Sequence, residues 1–324
     1  MQACRRSLSS TSPLPLLHRN VSCFPLRIPN NDLRVFLLPR FQSTAPSSIE
    51  SALTNAINAP IATLPAPLEL PKKEQGMNTF MYLLKTGKGY LSFYKTGLKN
   101  VYHNFIATRP IQDRIDKAGS ITALVGAHQI SRSEFQLVMR SRHDTRRIPV
   151  FVVVFLVFGE FSPLVLPFVS SIVPWNCRIP SQLQGDREKQ ELRRKDAFAK
   201  LVGANGRDAG KTVEGLDKGE LLHVGNVLGL HSPKWPAALS LPPTVWLRFK
   251  VRRQMEYLEL DDTLLERGGG PEALDAGEEL KMAVVERGID TIGKSDSRLR
   301  DDLKHWLAAK ANAGGLTPAL WLTR

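Results

Sequence analysis

Glu160 is the residue whose surroundings could most readily give it a chemical role. It lies within residues 148–173, an apolar stretch that contains no lysine or arginine. A carboxyl group in hydrocarbon is costly to ionise and tends to keep its proton. A group that takes up and releases a proton could serve cation/proton exchange. Alternatively, a protonated Glu160 could be purely structural, hydrogen-bonding a carbonyl freed by a proline or pairing between protomers.

Two clusters of basic residues could bind a polyanion such as RNA, because cations that neutralise phosphates release condensed counterions. The first cluster follows the apolar stretch and comprises Arg187, Lys189, Arg193, Arg194 and Lys195. The second cluster comprises Arg248, Lys250, Arg252 and Arg253. Glu188, Glu191 and Glu256 lie among them, so both clusters can also be interpreted as solvated helix faces paired with acids.

We find no recognisable motif for catalysis or cofactor binding in the sequence. The sequence contains no HExxH, GxSxG or CxxC motif. GANGRDAGKT (203–212) has Asn205 where a phosphate-binding P-loop requires glycine. Cys177 is the only cysteine beyond residue 23, and we interpret it as a small apolar residue. We therefore expect neither an enzyme nor a bound cofactor or metal ion.

The apolar stretch itself predicts a membrane segment. A helix over residues 148–174 would be about 40 Å long, enough to cross a hydrocarbon core of about 30 Å. Arg146, Arg147 and Arg178 stand at its edges, and Trp175 suits the interface between lipid and water. We predict a single transmembrane helix here.

The N-terminal region has the composition of a mitochondrial transit peptide. Residues 1–49 contain six arginines, no lysine and one acidic residue, Asp32. We place the transit peptide at residues 1–45, the alternative being a disordered basic tail that binds anionic surfaces. Proline, alanine and serine are frequent over residues 46–76, which predicts a flexible linker.

Helical periodicity dominates the rest of the chain, so we expect an all-α fold. In the amphipathic region 77–147, one apolar stripe comprises Leu91, Tyr94, Leu98, Val101, Tyr102 and Phe105. This helix could lie on an anionic membrane surface or pack against another helix. We predict a helical domain over 175–310 and a tail over 311–324. Asp275 and Glu278 have the spacing of a capping box.

Two parts of the sequence together resemble the LETM family of mitochondrial inner-membrane proteins, especially its short members with a LETM-type ribosome-binding domain. The first is SRHDTRRIPVFVVVFLVFGEFSPLVLPFVSSIVPWNCRIPSQL, residues 141–183. The second contains LLHVGNVLGL, DDTLLERGGGPEALDAGEELKMAVVERGI and SRLRDDLKHWL, with LGL, DD, EL, RGI and WL in the family's order.

The resemblance implies a 14-3-3-like helical domain in the matrix that binds the mitochondrial ribosome and supports membrane-protein biogenesis. An alternative implied by longer relatives is exchange of potassium or calcium against protons, here through Glu160. Since one span cannot enclose a pathway, exchange would require a homo-oligomer in contact with inner-membrane lipid. Residues 278–307 are also similar to a SAP-type helix–turn–helix, which makes nucleic-acid binding a second alternative.

The charges that flank the apolar segment favour the opposite topology, so the matrix location rests on the family resemblance.

Overall fold

The computed structural model describes residues 57–68, 71, 78–158, 172–201, 212–231 and 243–322. Glu160, the predicted transit peptide and most of the glycine-rich loop at 203–212 lie outside these residues. The described helices are α1 (Thr79–Ala107), α2 (Arg109–Ala118), α3 (Ile121–Gly126), α4 (Arg132–Phe158), α5 (Pro180–Leu201), α6 (Lys218–Val227), α7 (Thr244–Arg267), α8 (Glu278–Glu286), α9 (Asp296–Asn312) and α10 (Ala319–Leu322). The described residues contain no β-strand, so the all-α prediction is confirmed.

Helices α6 to α10 enclose the largest apolar core. Leu247, Val251 and Leu258 lie at helical spacing along α7 and are at most 2 % exposed, as their periodicity predicts. The predicted C-terminal tail belongs to the same core, because Trp321 and Leu322 in α10 are buried.

A second core joins the helices that precede the apolar segment to the domain that follows it. Ile111, Leu124, Phe135 and Val138 come from α2, α3 and α4. Leu264 of α7 packs among them. The chain before the apolar segment and the chain after it therefore share one interior.

Helix α1 buries only part of the predicted stripe, namely Tyr94 and Val101. Phe93 and Tyr94 pack against α4, and Gly97 is so close to the 172–177 segment that a Cβ there would lie 2.7 Å from the Asn176 carbonyl oxygen. Most of the predicted stripe, namely Leu91, Leu98, Tyr102 and Phe105, is exposed. One face of α1 thus packs against protein, while a separate apolar face remains uncovered.

The segment predicted as a flexible linker is packed against the domain over residues 57–68. Ile57 enters the main core, and the Asn58 side chain donates to the Ala273 carbonyl (3.1 Å) and accepts from the Asp275 amide (2.8 Å). Thr63 is buried and accepts a hydrogen bond from Arg140. Composition alone misled here, because a few polar side chains suffice to hold a proline-rich segment in place.

The two ends of the predicted transmembrane helix lie side by side. Asp144, before the segment, accepts hydrogen bonds from the backbone amides of Trp175 (2.6 Å) and Asn176 (3.3 Å), after it. A continuous helix over residues 148–174 would hold its ends about 40 Å apart. The predicted single transmembrane helix over residues 148–174 is therefore incompatible with these contacts. None of the helices in the described ranges has the length and apolarity needed to cross a bilayer.

The predicted capping box at Asp275 and Glu278 is wrong. Helix α8 begins after Gly277, whose φ of 85° is readily available only to glycine, and no side chain caps this end. A capping box does occur at α6, where Asp217 caps the helix and Glu220 reaches back to the Asp217 amide.

Candidate functional site: a buried ion network and a basic surface

Helix α4 carries polar residues at four-residue spacing whose side chains are buried. Arg132, Gln136, Arg140 and Asp144 are between 0 and 7 % exposed. Residues four apart lie on the same side of a helix, so these four side chains form one buried polar stripe. Arg132, Gln136 and Arg140 contact acidic residues of α7 and α8, whereas Asp144 contacts the 172–177 segment.

The first part of the network joins α4 to acidic residues of α7 and α8. The Arg132 guanidinium contacts Asp261 (Nε–Oδ1, 2.8 Å) and Glu279 (Nη1–Oε1, 3.0 Å). Arg140 contacts the other oxygen of Glu279 (2.7 Å), and Gln136 donates to Asp261 (2.7 Å). Each carboxylate is held by more than one donor, which is the condition under which buried charges are tolerated.

The second part lies within the C-terminal domain and is centred on Arg287. Its guanidinium contacts Asp261 (2.8 Å) and Asp262 (2.8 Å from Nε), and it also donates to the Ala283 carbonyl. Trp306 donates to Asp262 at 3.1 Å. Lys310 lies 3.6 Å from the same carboxylate. Helices α7, α8 and α9 are thereby tied to one another through fully buried charges.

The network perturbs the ionisation of its carboxyl groups in opposite directions. Burial alone would raise the pKa of Asp261, but the charges of Arg132 and Arg287 outweigh it and hold that pKa well below its ordinary value. The pKa of Glu286 is raised by burial and then by the nearby charge of Asp261. Tyr257 donates to Glu286 (2.8 Å) and accepts from Gln136 (2.8 Å), so it links the two acids.

The sequence signatures that suggested a family correspond to this network. The DD pair is Asp261 and Asp262, RGI begins with Arg287, EL begins with Glu279, and WL begins with Trp306. These residues therefore have an evident structural role. The partners Arg132 and Gln136 were missed, although polar residues at four-residue spacing could have indicated a buried stripe.

The predicted basic residues of α5 separate into internal and exposed side chains. Arg194 is buried and donates to the carbonyls of Val227, Val285 and Ile289. Arg187 pairs with Glu278. Arg193 donates to the His231 carbonyl (2.9 Å), while Lys189 and Lys195 are exposed. Arg194 thus stabilises the fold and cannot meet a macromolecular partner.

The basic residues of α7 surround the first half of that helix. Arg248 donates to the Leu216 carbonyl (3.1 Å), and Arg252 pairs with the exposed Glu214. Lys250 donates to the Leu230 carbonyl (3.2 Å) and lies over the Trp246 ring. Arg253 is exposed and has no ion-pair partner within the described ranges.

The two clusters meet at the turn that follows α6. Arg193 from α5 and Lys250 from α7 bind consecutive carbonyls, those of His231 and Leu230. Burial, followed by the charge of Arg253, lowers the pKa of Lys250. We define the basic surface as Lys189, Arg193, Lys250 and Arg253.

Two family models match the chain. Residues 122–202 match the pentamidine resistance factor domain, and residues 209–324 match the family described as LETM1-like, RBD. No solved structure matches the chain, so the 14-3-3-like arrangement stays a prediction. The two matches confirm the resemblance to the LETM family, and residues 209–324 are similar to its LETM1-like domain. The ion network joins the two matched regions, since Arg132 and Arg140 lie in the first and their acidic partners in the second.

Proposed function

We propose that this LETM1-like protein binds mitochondrial ribosomes on the matrix side of the inner membrane and so supports insertion of newly made membrane proteins. The observation that carries the proposal is the match of residues 209–324 to the LETM1-like ribosome-binding domain. The proposal includes a transit peptide at residues 1–45 and attachment to inner-membrane lipid through the apolar segment 148–174.

The contact with the ribosome is assigned to the basic surface. Ribosomal RNA presents closely spaced phosphates, and each cation that neutralises one releases counterions. Lys189 and Arg253 are the members best suited to this, because both are exposed and neither has an ion-pair partner within the described residues. Arg252 and Lys195 extend the positive charge at the edges of the surface.

The test is co-sedimentation of the full chain with mitochondrial ribosomes at increasing salt. Reversal of two charges, Lys189→Glu with Arg253→Glu, should reduce binding at least tenfold and flatten its salt dependence. The matched control, Lys117→Glu with Lys218→Glu, makes the same change in net charge at exposed lysines outside the surface and should bind like the wild type.

Two outcomes would count against the proposal at different levels. Unchanged binding by the double variant would remove this surface from the account and leave ribosome binding in place. Failure of the wild-type protein to sediment with ribosomes at low salt would overturn the function itself.

Cation/proton exchange through Glu160 and nucleic-acid binding through residues 278–307 stay predictions. Glu160 lies outside the described residues. In the region similar to a SAP-type module, the acidic residue Glu279 is buried in the ion network. Exchange would also require homo-oligomers in the membrane.

A further inference from the structure

The apolar segment has its two flanking regions on one side, and this follows first from the ion network. Arg132 and Arg140 precede the segment, whereas Asp261 and Glu279 follow it. Their charged atoms lie 2.7–3.0 Å apart. A hydrocarbon core about 30 Å thick cannot lie between groups in direct contact. The residues that make this network must therefore share one aqueous compartment.

The immediate ends of the segment lead to the same conclusion. Asp144 binds the amides of Trp175 and Asn176, and Phe151 lies in one buried cluster with Val173 and Cys177. Burial raises the pKa of the Cys177 thiol to about 12, as expected for a sulfur enclosed by apolar groups. The chain at Asp144 and Phe151 therefore meets the chain at residues 173–177 on one side of the apolar segment.

An uncovered apolar surface accompanies these ends. On α4, Val150, Val153 and Val157 recur at helical spacing and are 50, 57 and 71 % exposed, and Leu156 is 77 % exposed. These residues begin the apolar segment itself. Monomeric soluble proteins rarely leave apolar residues exposed in such a contiguous group, which marks an interaction surface.

Helix α1 extends this surface. Phe80, Leu84, Leu91 and Leu98 lie on one side of α1 and are 37–69 % exposed. The Tyr94 ring of α1 packs against Phe151 of α4, with ring centroids 6.3 Å apart, so the two helices are neighbours. Lys88, Lys95 and Lys99 are exposed beside the apolar face of α1, where their long stems can reach lipid headgroups.

We propose that this protein inserts into a single leaflet of the inner membrane, with residues 57–147 and 172–322 both on the matrix side. The acyl chains of that leaflet cover the exposed faces of α1 and of the end of α4. This inference rests on the membrane attachment and matrix location given above. It also removes a conflict in the charges, because Arg142, Arg146 and Arg147 before the segment and Arg178 and Lys189 after it now add on one side.

The side of each flank can be tested in mitochondria with single cysteines. Cys4, Cys23 and Cys177 are replaced by alanine, and Lys117→Cys reports on the region before the segment and Gln184→Cys on the region after it; both positions are exposed. A membrane-impermeant maleimide should label neither cysteine in mitoplasts and both after the inner membrane is opened. Labelling of only one cysteine in mitoplasts would overturn the proposal and leave membrane attachment intact.

Labelling of both cysteines in mitoplasts would support the same-side geometry and overturn the matrix location, and with it ribosome binding. In this way failure of the topology and failure of the proposed function give different results.

The lipid-facing surface is tested separately by carbonate extraction of the full chain. Leu156→Asp places a charge on the face assigned to acyl chains and should move most of the protein from the membrane pellet to the supernatant. The matched control is Leu192→Asp on α5, since Leu192 is 67 % exposed but lies outside this surface. Equal pelleting of both variants, or loss of the wild type from the pellet, would overturn insertion through this face.

Discussion

Helices α4 and α7 both carry closely spaced arginines, yet the two sets have opposite environments. Arg132 and Arg140 of α4 are 2 and 7 % exposed and bind acids from α7 and α8. Arg252 and Arg253 of α7 are exposed, and their contacts within the described chain amount to one surface ion pair. Sequence alone does not distinguish the two sets, because arginines and acidic residues alternate along both helices. The difference arises because the apolar residues of each helix determine which of its faces packs into the protein interior.

This comparison separates two kinds of positive charge. The buried arginines have their charge neutralised by protein, so they hold the halves of the chain together and leave little field outside. The charges of the surface cations are balanced by solvent and counterions. An anionic partner can replace these counterions and gain affinity from their release. Net charge therefore says little about function until each cation is assigned to one class.

The largest effect is expected from Arg132→Met, which removes the link between α4 and the C-terminal domain. Asp261 and Glu279 would lose a buried partner, and breaking such a pair typically costs about 3–5 kcal/mol. Urea unfolding of the full chain in detergent, followed by the fluorescence of its five tryptophans, measures the change. Arg298→Met on the surface is the control, with a loss of at most about 0.5 kcal/mol. Equal effects would mean that the network is not what joins the halves.

A second large effect is expected where α1 crosses the 172–177 segment. A Cβ at Gly97 would lie 2.7 Å from the Asn176 oxygen and 2.8 Å from the Cys177 sulfur. Gly97→Val should therefore cost roughly 1–3 kcal/mol by overpacking. Gly87→Ala, in the same helix with nothing within 4 Å, should instead stabilise by about 0.5–1 kcal/mol. A tolerant Gly97 would indicate that α1 does not clamp the ends of the apolar segment.

Sequence reasoning succeeded for the apolar face of α7 and failed for the buried charges of α4. Apolar periodicity correctly predicted the buried row Leu247, Val251 and Leu258, because burying an apolar stripe is what makes these helices fold. The buried role of Arg132 was missed, because its partners are more than 120 residues away along the chain and polarity alone predicts exposure.

Contacts distant in sequence account for the other errors. The linker prediction for residues 57–68 failed because Asn58 finds its partners near residue 274. The prediction of a single membrane crossing failed because the number of apolar residues determines the length of a segment and not the path of the chain. Only the contact between Asp144 and Trp175 shows that the regions flanking the segment meet.

A smaller, pH-dependent effect distinguishes the two perturbed acids. The pKa of Asp261 is lowered in the folded protein, so its contribution to stability is present above about pH 4 and is lost as the pH falls below it. The pKa of Glu286 is raised, so its contribution is present below about pH 4.3 and is lost as the pH rises through the folded value. Glu286→Gln should thus stabilise the protein at pH 7 and have little effect at pH 4.

Unfolding midpoints between pH 4 and pH 8 check this sign. The exposed Glu266→Gln is the control and should give a difference from the wild type that hardly varies with pH. A Glu286→Gln variant that is less stable at pH 7 would show that the ionised carboxylate is stabilising, in contradiction to its surroundings.

The smallest effect on stability is expected from Arg253→Ala, on the exposed side of the comparison. Arg253 has no ion-pair partner within the described residues, so its loss should change the free energy of unfolding by less than about 0.5 kcal/mol. If it contacts a phosphate of the ribosome, the same change should lower the salt slope of binding by about one unit. A variant that is fully stable and binds with an unaltered salt slope would place Arg253 outside the contact. A variant that is destabilised as strongly as Arg132→Met would show that the division between buried and surface arginines does not hold for α7.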